Sequence, residues 1–428
     1  MKKKMISAVL ALVMLGSLTA CGSTGKEEDA ATDGAKADEP VKLKILTEFD
    51  PQTLGEEYLA TFDEVADELG YEIDVERVDT ETYKTKIRVA LQGNELPDVF
   101  FTWGDSYTQP FLDADALYPI DDALQEFDAK LYPTYAVPYE DGHMYTVPHQ
   151  ANGTYMTFYN KKVFEKLGMD VPTNWDELLA VVDKCNEQGI YALGLGNKDR
   201  WEGDLFYNEM VLREDTDAYN RAMDGDGAFT DEAFKNAAEK VETLVQKGAF
   251  QKGYMQATTS EVIEMFRADQ IAMYPVGSWM LSTMIAGDLA EKTGYMMFPA
   301  TGAAEEVETA TTCMSGNLPQ GLVASASSQF PEEAARFIVR YGQKINDINV
   351  KKGNIGFMET DVKPEGEVHE ILKQYEEDFK NYKIMQTWWF SLVDAKIGEP
   401  MRDLSHQQFA GQIEVDDFLK ELNTIMKQ

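Results

Sequence analysis

The 428-residue sequence predicts an α/β protein built as two lobes. Three observations predict it. Across Val41–Phe101 a period-two apolar pattern alternates with a helical one as strand, helix, strand, helix, strand. That rhythm implies parallel strands joined by right-handed crossovers. About 390 residues follow an N-terminal leader and tether, too many for one typical core and suited to two. Third, Phe266–Met280, FRADQIAMYPVGSWM, leaves a helix, runs through a strand apolar enough to be buried on both faces, and ends in a Gly-Ser-Trp turn. Trp279 is thereby delivered to a strand's C-terminal edge, where open α/β sheets bind ligands. Displayed there it is a flat stacking surface; folded inward it is ordinary core.

The leader is residues 1–20. Three lysines precede the apolar run Met5–Leu15, which is too short to span a bilayer, and Leu18-Thr19-Ala20-Cys21 follows. LTAC resembles a bacterial lipobox, which makes Cys21 the candidate lipidation site and puts the folded protein on the outside face of the cytoplasmic membrane. Several acyl chains would hold it there. Residues 21–40 contain no aromatic and no large aliphatic side chain before the first strand, so they are expected to be a disordered tether. The formal charge of −36 falls to about −39 without the three leader lysines. Such a chain repels nucleic acid and anionic headgroups, which excludes both as partners. Cys185 and Cys313 are the only other thiols and make no disulfide framework; free or buried thiols are expected.

Taken in order, Val41, Leu43 and Ile45 mark a strand that enters a turn at Thr47–Pro51. A helix with apolar positions from Leu54 to Leu69 ends at Gly70, and Tyr71, Ile73 and Val75 form the second strand. Thr82–Leu91 is the second helix. Pro97–Phe101 is a buried strand running into Thr102-Trp103-Gly104-Asp105. Tyr155–Tyr159 is a strand, Val163–Leu167 a helix, and Thr173 with Asp176 reads as a capping box, with Trp175 packing beside it. Ile190–Leu195 is a strand whose exit carries Trp201. Asp224–Gly227 lacks the spacing and closing glutamate of a calcium loop, so it reads as a solvated turn. Gly277 frees the backbone to leave the central strand, and Ser278 is expected to cap a helix. Met296–Pro299, Thr311–Gly316 and Leu322–Ser325 read as strands, Pro331–Gly342 as a helix, and Met385–Phe390 as the opening of another. At helical spacing Trp388 and Trp389 would point about 100° apart, one core and the other exposed.

Five features now carry a resemblance: LTAC; LQGNELPDVFFTWGDSY; GHMYTVPHQANGTYMTFYNKKVFEKLGMDVPTNWDEL; FRADQIAMYPVGSWM; and WWF at Trp388–Phe390. The chain resembles the extracellular sugar-binding proteins of ABC importers, the maltose-binding-protein-like class of bacterial solute-binding proteins. The resemblance implies a two-lobed, periplasmic-binding-protein-like (type II) fold with hinge crossovers. Lobe I is expected at 41–150 plus 300–352, and lobe II at 151–299 plus 353–428. A sugar, a di- or oligosaccharide, would be clamped in the cleft and delivered to the membrane permease subunits by a monomer without cofactor or metal. Trp103 with Asp105 would serve from the first lobe, and Gly277 with Trp279 from the second. Trp389 aligns with the late-helix tryptophan better than Trp388. Gln150 and Asn152 lie at the crossover, Glu48 and Asp50 at the first turn, and Trp201 on a loop where the match is loosest.

The chemistry agrees with that expectation. A pyranose presents an apolar C–H face and a rim of hydroxyls, so its site needs flat aromatics beside carboxylates or amides. The rival readings are a surface-anchored carbohydrate hydrolase and a peptide or polyamine receptor on the same fold. No G-x-S-x-G, H-E-x-x-H, C-x-x-C or phosphate-binding G-x-x-x-x-G-K-[ST] motif occurs. His143, His149, His369 and His406 lack ligand spacing. His149 lies near the crossover and either touches ligand or is a surface residue, the simpler reading.

Overall fold

The N-terminal run folds as β1 (Lys42–Glu48), α1 (Glu56–Leu69), β2 (Glu72–Val78), α2 (Thr80–Gly93) and β3 (Val99–Thr102). Then come α3 (Asp105–Asp113), β4 (Leu117–Tyr118), α4 (Asp121–Glu126) and β5 (Thr146–Pro148). A second run holds β6 (Tyr155–Asn160), α5 (Lys161–Leu167), α6 (Trp175–Gln188), β7 (Tyr191–Leu193), α7 (Trp201–Glu214) and α8 (Thr216–Met223). It continues through α9 (Glu232–Gln246), α10 (Thr259–Arg267), β8 (Ile271–Gly277), α11 (Leu281–Met284) and β9 (Thr293–Met296). Next are β10 (Ala310–Cys313), β11 (Gly321–Ser325), α12 (Pro331–Lys351), α13 (Glu370–Asn381) and β12 (Ile384–Thr387). The last helices are α14 (Trp389–Leu392), α15 (Ala395–Phe409) and α16 (Val415–Ile425). The computed structural model describes residues 40–48, 56–132, 135–136, 138–149, 153–223, 226–301, 310–313, 320–381, 384–393 and 395–427. Cys21, Asp50, Gln150 and Asn152 lie outside them, as does the leader and tether.

Two sheets organise these elements into the two lobes. The first has the order β2-β1-β3-β11-β4, with β5 also paired to β11. β1 is parallel to β2 and β3, as the crossover rhythm requires, whereas β11 returns antiparallel to β3. Its core is Leu43, Ile45, Val99 and Phe100 from the strands under Phe62, Phe337 and Tyr341 from α1 and α12. The Phe62 and Tyr341 rings lie 4.6 Å apart. The second sheet has the order β7-β8-β6-β9, and every residue of β8 is buried, as its unbroken apolar run predicts. β10 and β12 form a separate parallel pair.

Several expectations are corrected. The N-cap of α6 is Asn174, which accepts from the Glu177 amide, one residue beyond the expected Thr173 box. Glu177 Oε2 reaches back to the Thr173 amide at 2.8 Å, so the reciprocal bond exists in a shifted frame. Ser278 caps no helix; its hydroxyl accepts from the Thr154 amide at 3.0 Å and ties the end of β8 to the start of β6. The expected strand at Met296–Pro299 lies earlier, at Thr293–Met296. Residues 384–387 are extended rather than helical, because they pair with β10. The helix expected at Pro331–Gly342 continues to Lys351. Gly342 does not stop it; a Cβ there would meet Val147 at 2.4 Å, so the glycine admits a close approach to β5. α7 had no amphipathic signature because it is buried nearly all round, including the Arg213–Glu209 pair at 2.9 Å.

Candidate functional site

The register brings four first-lobe positions to one edge. β1 ends at Glu48 and β3 at Thr102; Thr102 and Pro148 both pair with Gly321, so His149 and Gln320 share that edge. Trp103 follows directly. Its ring is edge-on to Phe101 at 5.1 Å and to Tyr83 at 5.5 Å, and tilted against Tyr107 at 5.3 Å. Lys84 Nζ lies over it, 5.6 Å from the ring centre. The fully buried Tyr83 hydroxyl accepts from the Phe101 amide at 2.8 Å and donates to the Phe101 carbonyl, which pins β3 just before the tryptophan. Asp105 is the first residue of α3. Glu48 Oε2 accepts from the Thr80 hydroxyl at 2.8 Å, leaving the carboxylate half-buried at the edge. His149 is not a surface residue: it is buried beside Phe101, and that burial lowers its pKa to about 4.

In the second lobe the turn after β8 folds Trp279 back over Gly277. A Cβ on Gly277 would lie 1.7 Å from the indole, so only glycine leaves room for the ring in this position. Trp279 is 5.9 Å from Trp201 at 58°, and 5.6 Å from Trp388 at 79°. Trp201 and Trp279 keep partly exposed surface, while Trp388 is buried. Trp201 is held by an ordered loop. Glu202 accepts from the Gly196 amide at 2.6 Å, the Thr259 hydroxyl at 2.7 Å and the Tyr274 hydroxyl at 3.0 Å. Complete burial outweighs these donors and lifts the Glu202 pKa to about 7.

Trp389 requires a correction. It is fully buried, stacked parallel to Phe234 at 6.5 Å and tilted on Tyr207 at 5.3 Å. Its indole N–H donates to Asp204 Oδ2 at 3.1 Å. Asp204 also accepts from Ser405 Oγ at 2.6 Å, and burial lifts its pKa to about 6. Trp389 is therefore second-lobe core, and Trp388 is the one that joins Trp279. The expected helical offset between them is replaced by a strand-to-helix junction.

A charged cluster spanning the lobes escaped the sequence. Arg200 Nη2 lies 3.1 Å from Glu81 on α2 and 3.6 Å from Glu399 on α15, and its Nη1 pairs with Asp403. Lys84 pairs with Glu81 at 3.0 Å and reaches Glu399 at 3.9 Å. The buried Arg402 donates to the Tyr107 hydroxyl at 2.9 Å, while α14 packs on α3. Burial alone would raise the Glu81 pKa; Lys84 and Arg200 outweigh it and hold it below the ordinary value. Arg200 adjoins Trp201, and Lys84 covers Trp103, so one ionic bridge separates the two aromatic groups. Charge patterning within a helix does not reveal partners 119 residues apart. Among the described residues no His, Cys, Asp and Glu group could hold a metal, and no helix is long and apolar enough to cross a membrane. Cys185 is free and buried, its thiol pushed up to about 12 by burial.

Residues 53–339 match the profile of a family described as bacterial extracellular solute-binding protein. The multiple sugar-binding protein of Streptococcus mutans is 25% identical over 218 residues, 48% of this chain and 50% of that one. A probable sugar-binding periplasmic protein of Rhizobium meliloti is 34% identical over 83 residues, 19% of this chain and 20% of that one. The chain thus spans about half or less of the length of these curated relatives. A structure from work on xylan utilization by Caldanaerobius polysaccharolyticus superposes with a TM-score of 0.79 and 26% identity, covering 90% of this chain and 99% of that one. A chitin oligosaccharide binding protein has the same fold, with a TM-score of 0.80, 20% identity and coverage of 91% and 98%.

Proposed function

The chain belongs to the bacterial extracellular solute-binding proteins, and from that premise we propose that it is the sugar-binding subunit of an ABC importer. It takes a di- or oligosaccharide between its lobes, stacks it on tryptophan and delivers it to a membrane permease, held at the surface by lipid on Cys21. The observation that carries this reading is the cluster Trp201–Trp279–Trp388 at the end of β8, with Trp103 at the matching edge of the first sheet. Flat indoles suit the C–H face of a pyranose, and Glu48 at the end of β1 offers a hydroxyl acceptor on the first sheet's edge. Relatives whose names record sugar binding support the ligand class. The local charge supports a neutral ligand over a polyamine, since Glu81, Glu399 and Asp403 are matched by Lys84, Arg200 and Arg402.

The test is thermal unfolding against mono- and oligosaccharides, amino acids, peptides and polyamines. A ligand that binds only the folded state raises Tm by mass action. One sugar series is expected to do so, and Trp279→Ala to abolish the shift. Trp389→Ala, by contrast, is expected to lower Tm itself, as removal of a buried aromatic costs about 3–5 kcal/mol. A shift produced only by polyamines or peptides would refute the sugar reading, and consumption of the sugar would point to a hydrolase. Delivery is tested by transport with a variant locked open, which is expected to fail despite ample protein.

A further inference from the structure

The first-lobe edge holds two buried polar side chains, each with one polar atom left unpaired among the described residues. His149 is 7% exposed and Gln320 4%. Pro148 pairs with Gly321, so His149 and Gln320 are opposite each other one rung further along the antiparallel ladder of β5 and β11. Directly opposed residues have Cβ atoms about 5 Å apart. The His149 ring packs on Phe101 at 5.1 Å and hydrogen-bonds to the Gln320 main chain in the sense that favours the protonated ring. That ring nitrogen is therefore a donor, and Nδ1 is left as a lone-pair acceptor. Among the described residues neither His149 Nδ1 nor Gln320 Nε2 has a hydrogen-bond partner. Buried groups of this kind are costly to leave unmade, so an unpaired acceptor and donor on adjacent strands point to a missing group. His149 also lines a recess with Thr47, Glu48, Tyr58, Phe101 and Leu322 at the strand ends that carry Trp103.

We propose that His149 and Gln320 form a hydroxyl-selecting subsite, in which one ligand hydroxyl donates to His149 Nδ1 and accepts from Gln320 Nε2. A hydroxyl does both through one oxygen. A carboxylate has no proton to donate to Nδ1, and an ammonium has no lone pair to accept from the amide. The pair therefore discriminates against both kinds of charged ligand and accepts a polyol or sugar edge. The proposal rests on the sugar-binding reading and adds specificity residues on the first lobe, away from the tryptophans of the second.

The full chain is titrated with xylotriose, chitobiose, galactose and stachyose, following heat and Tm. His149→Phe keeps a ring against Phe101 and removes the acceptor; Gln320→Leu removes the donor. Each is expected to weaken binding of the responding sugar at least tenfold, and the double variant little further, because one hydroxyl serves both. Wild-type affinity in both variants overturns the subsite while leaving the sugar reading intact. If no sugar shifts the wild-type Tm, that reading fails and the subsite with it. Should a variant not fold, wild-type protein with ¹⁵N-labelled histidine decides: the His149 Nδ1 resonance moves when the sugar saturates the protein, and a resonance that stays put overturns the proposal.

Discussion

At Gly277 the Trp279 ring occupies the space of a side chain, so position and function are coupled through one missing methyl group. Gly277→Ala is expected to turn the indole off its seat and reduce sugar affinity roughly tenfold, with a smaller loss of stability. Tryptophan emission and calorimetric titration check it; unchanged emission and affinity would refute the coupling. His149 supplies a pH signature. Burial lowers its folded pKa to about 4, below the ordinary 6.5, so the unfolded chain takes the proton first as pH falls. Its contribution to stability is complete above pH 6.5 and is lost as pH falls through about 4. Relative to His149→Phe, the wild type should lose roughly 3 kcal/mol across that window, from a one-proton slope of about 1.4 kcal/mol per pH unit. Parallel stability profiles from urea melts would contradict it.

At the scale of elements, the first turn of α7 carries a buried carboxyl group that gathers the elements around it. Glu202 ties Gly196, Thr259 of α10 and Tyr274 of β8 together behind Trp201. Its folded pKa is raised to about 7 from 4.5, so folding favours the protonated form. That stability is complete below about pH 4.5 and is lost as pH rises through about 7, the opposite direction to His149. Melting curves over that range should fall more steeply in the wild type than in Glu202→Gln, which has no proton at stake. Equal slopes would show that the group titrates normally. The strand-to-helix junction at β12 and α14 acts at the same scale. Pairing of 384–387 with β10 turns Trp389 into the second core, where Phe234 and Asp204 receive it, and leaves Trp388 against Trp279.

For the whole molecule, Arg200 is the residue whose loss should be felt by both lobes. It stands on the second lobe's Trp201 loop and pairs with Glu81 of the first. The groups are partly exposed, so salt screens them and each pair contributes modestly. Arg200→Ala leaves Glu81, Glu399 and Asp403 less neutralised where the lobes meet. Sugar affinity should fall about tenfold, or about 1.4 kcal/mol. The sugar-free molecule should be more open by small-angle scattering, and the salt dependence of binding should weaken. An unchanged scattering profile and affinity would show that the cluster does not bias closure.

The sequence by itself determined the order of strands and helices at the N-terminus, the parallel sheet they build, the buried β8 and the glycine turn that ends in Trp279. Each of these depends on neighbours within a few residues, where periodicity, turn chemistry and steric room act directly. Family motifs extended that reading to the second lobe because they too are contiguous runs. Tertiary structure alone decided that Trp389 is core and Trp388 meets Trp279, since pairing with a strand about 70 residues earlier replaced the helix on which their offset was reckoned. It alone buried His149 opposite Gln320 and joined Arg200 to Glu81, because burial and charge pairing are set by which distant surfaces the two sheets bring together.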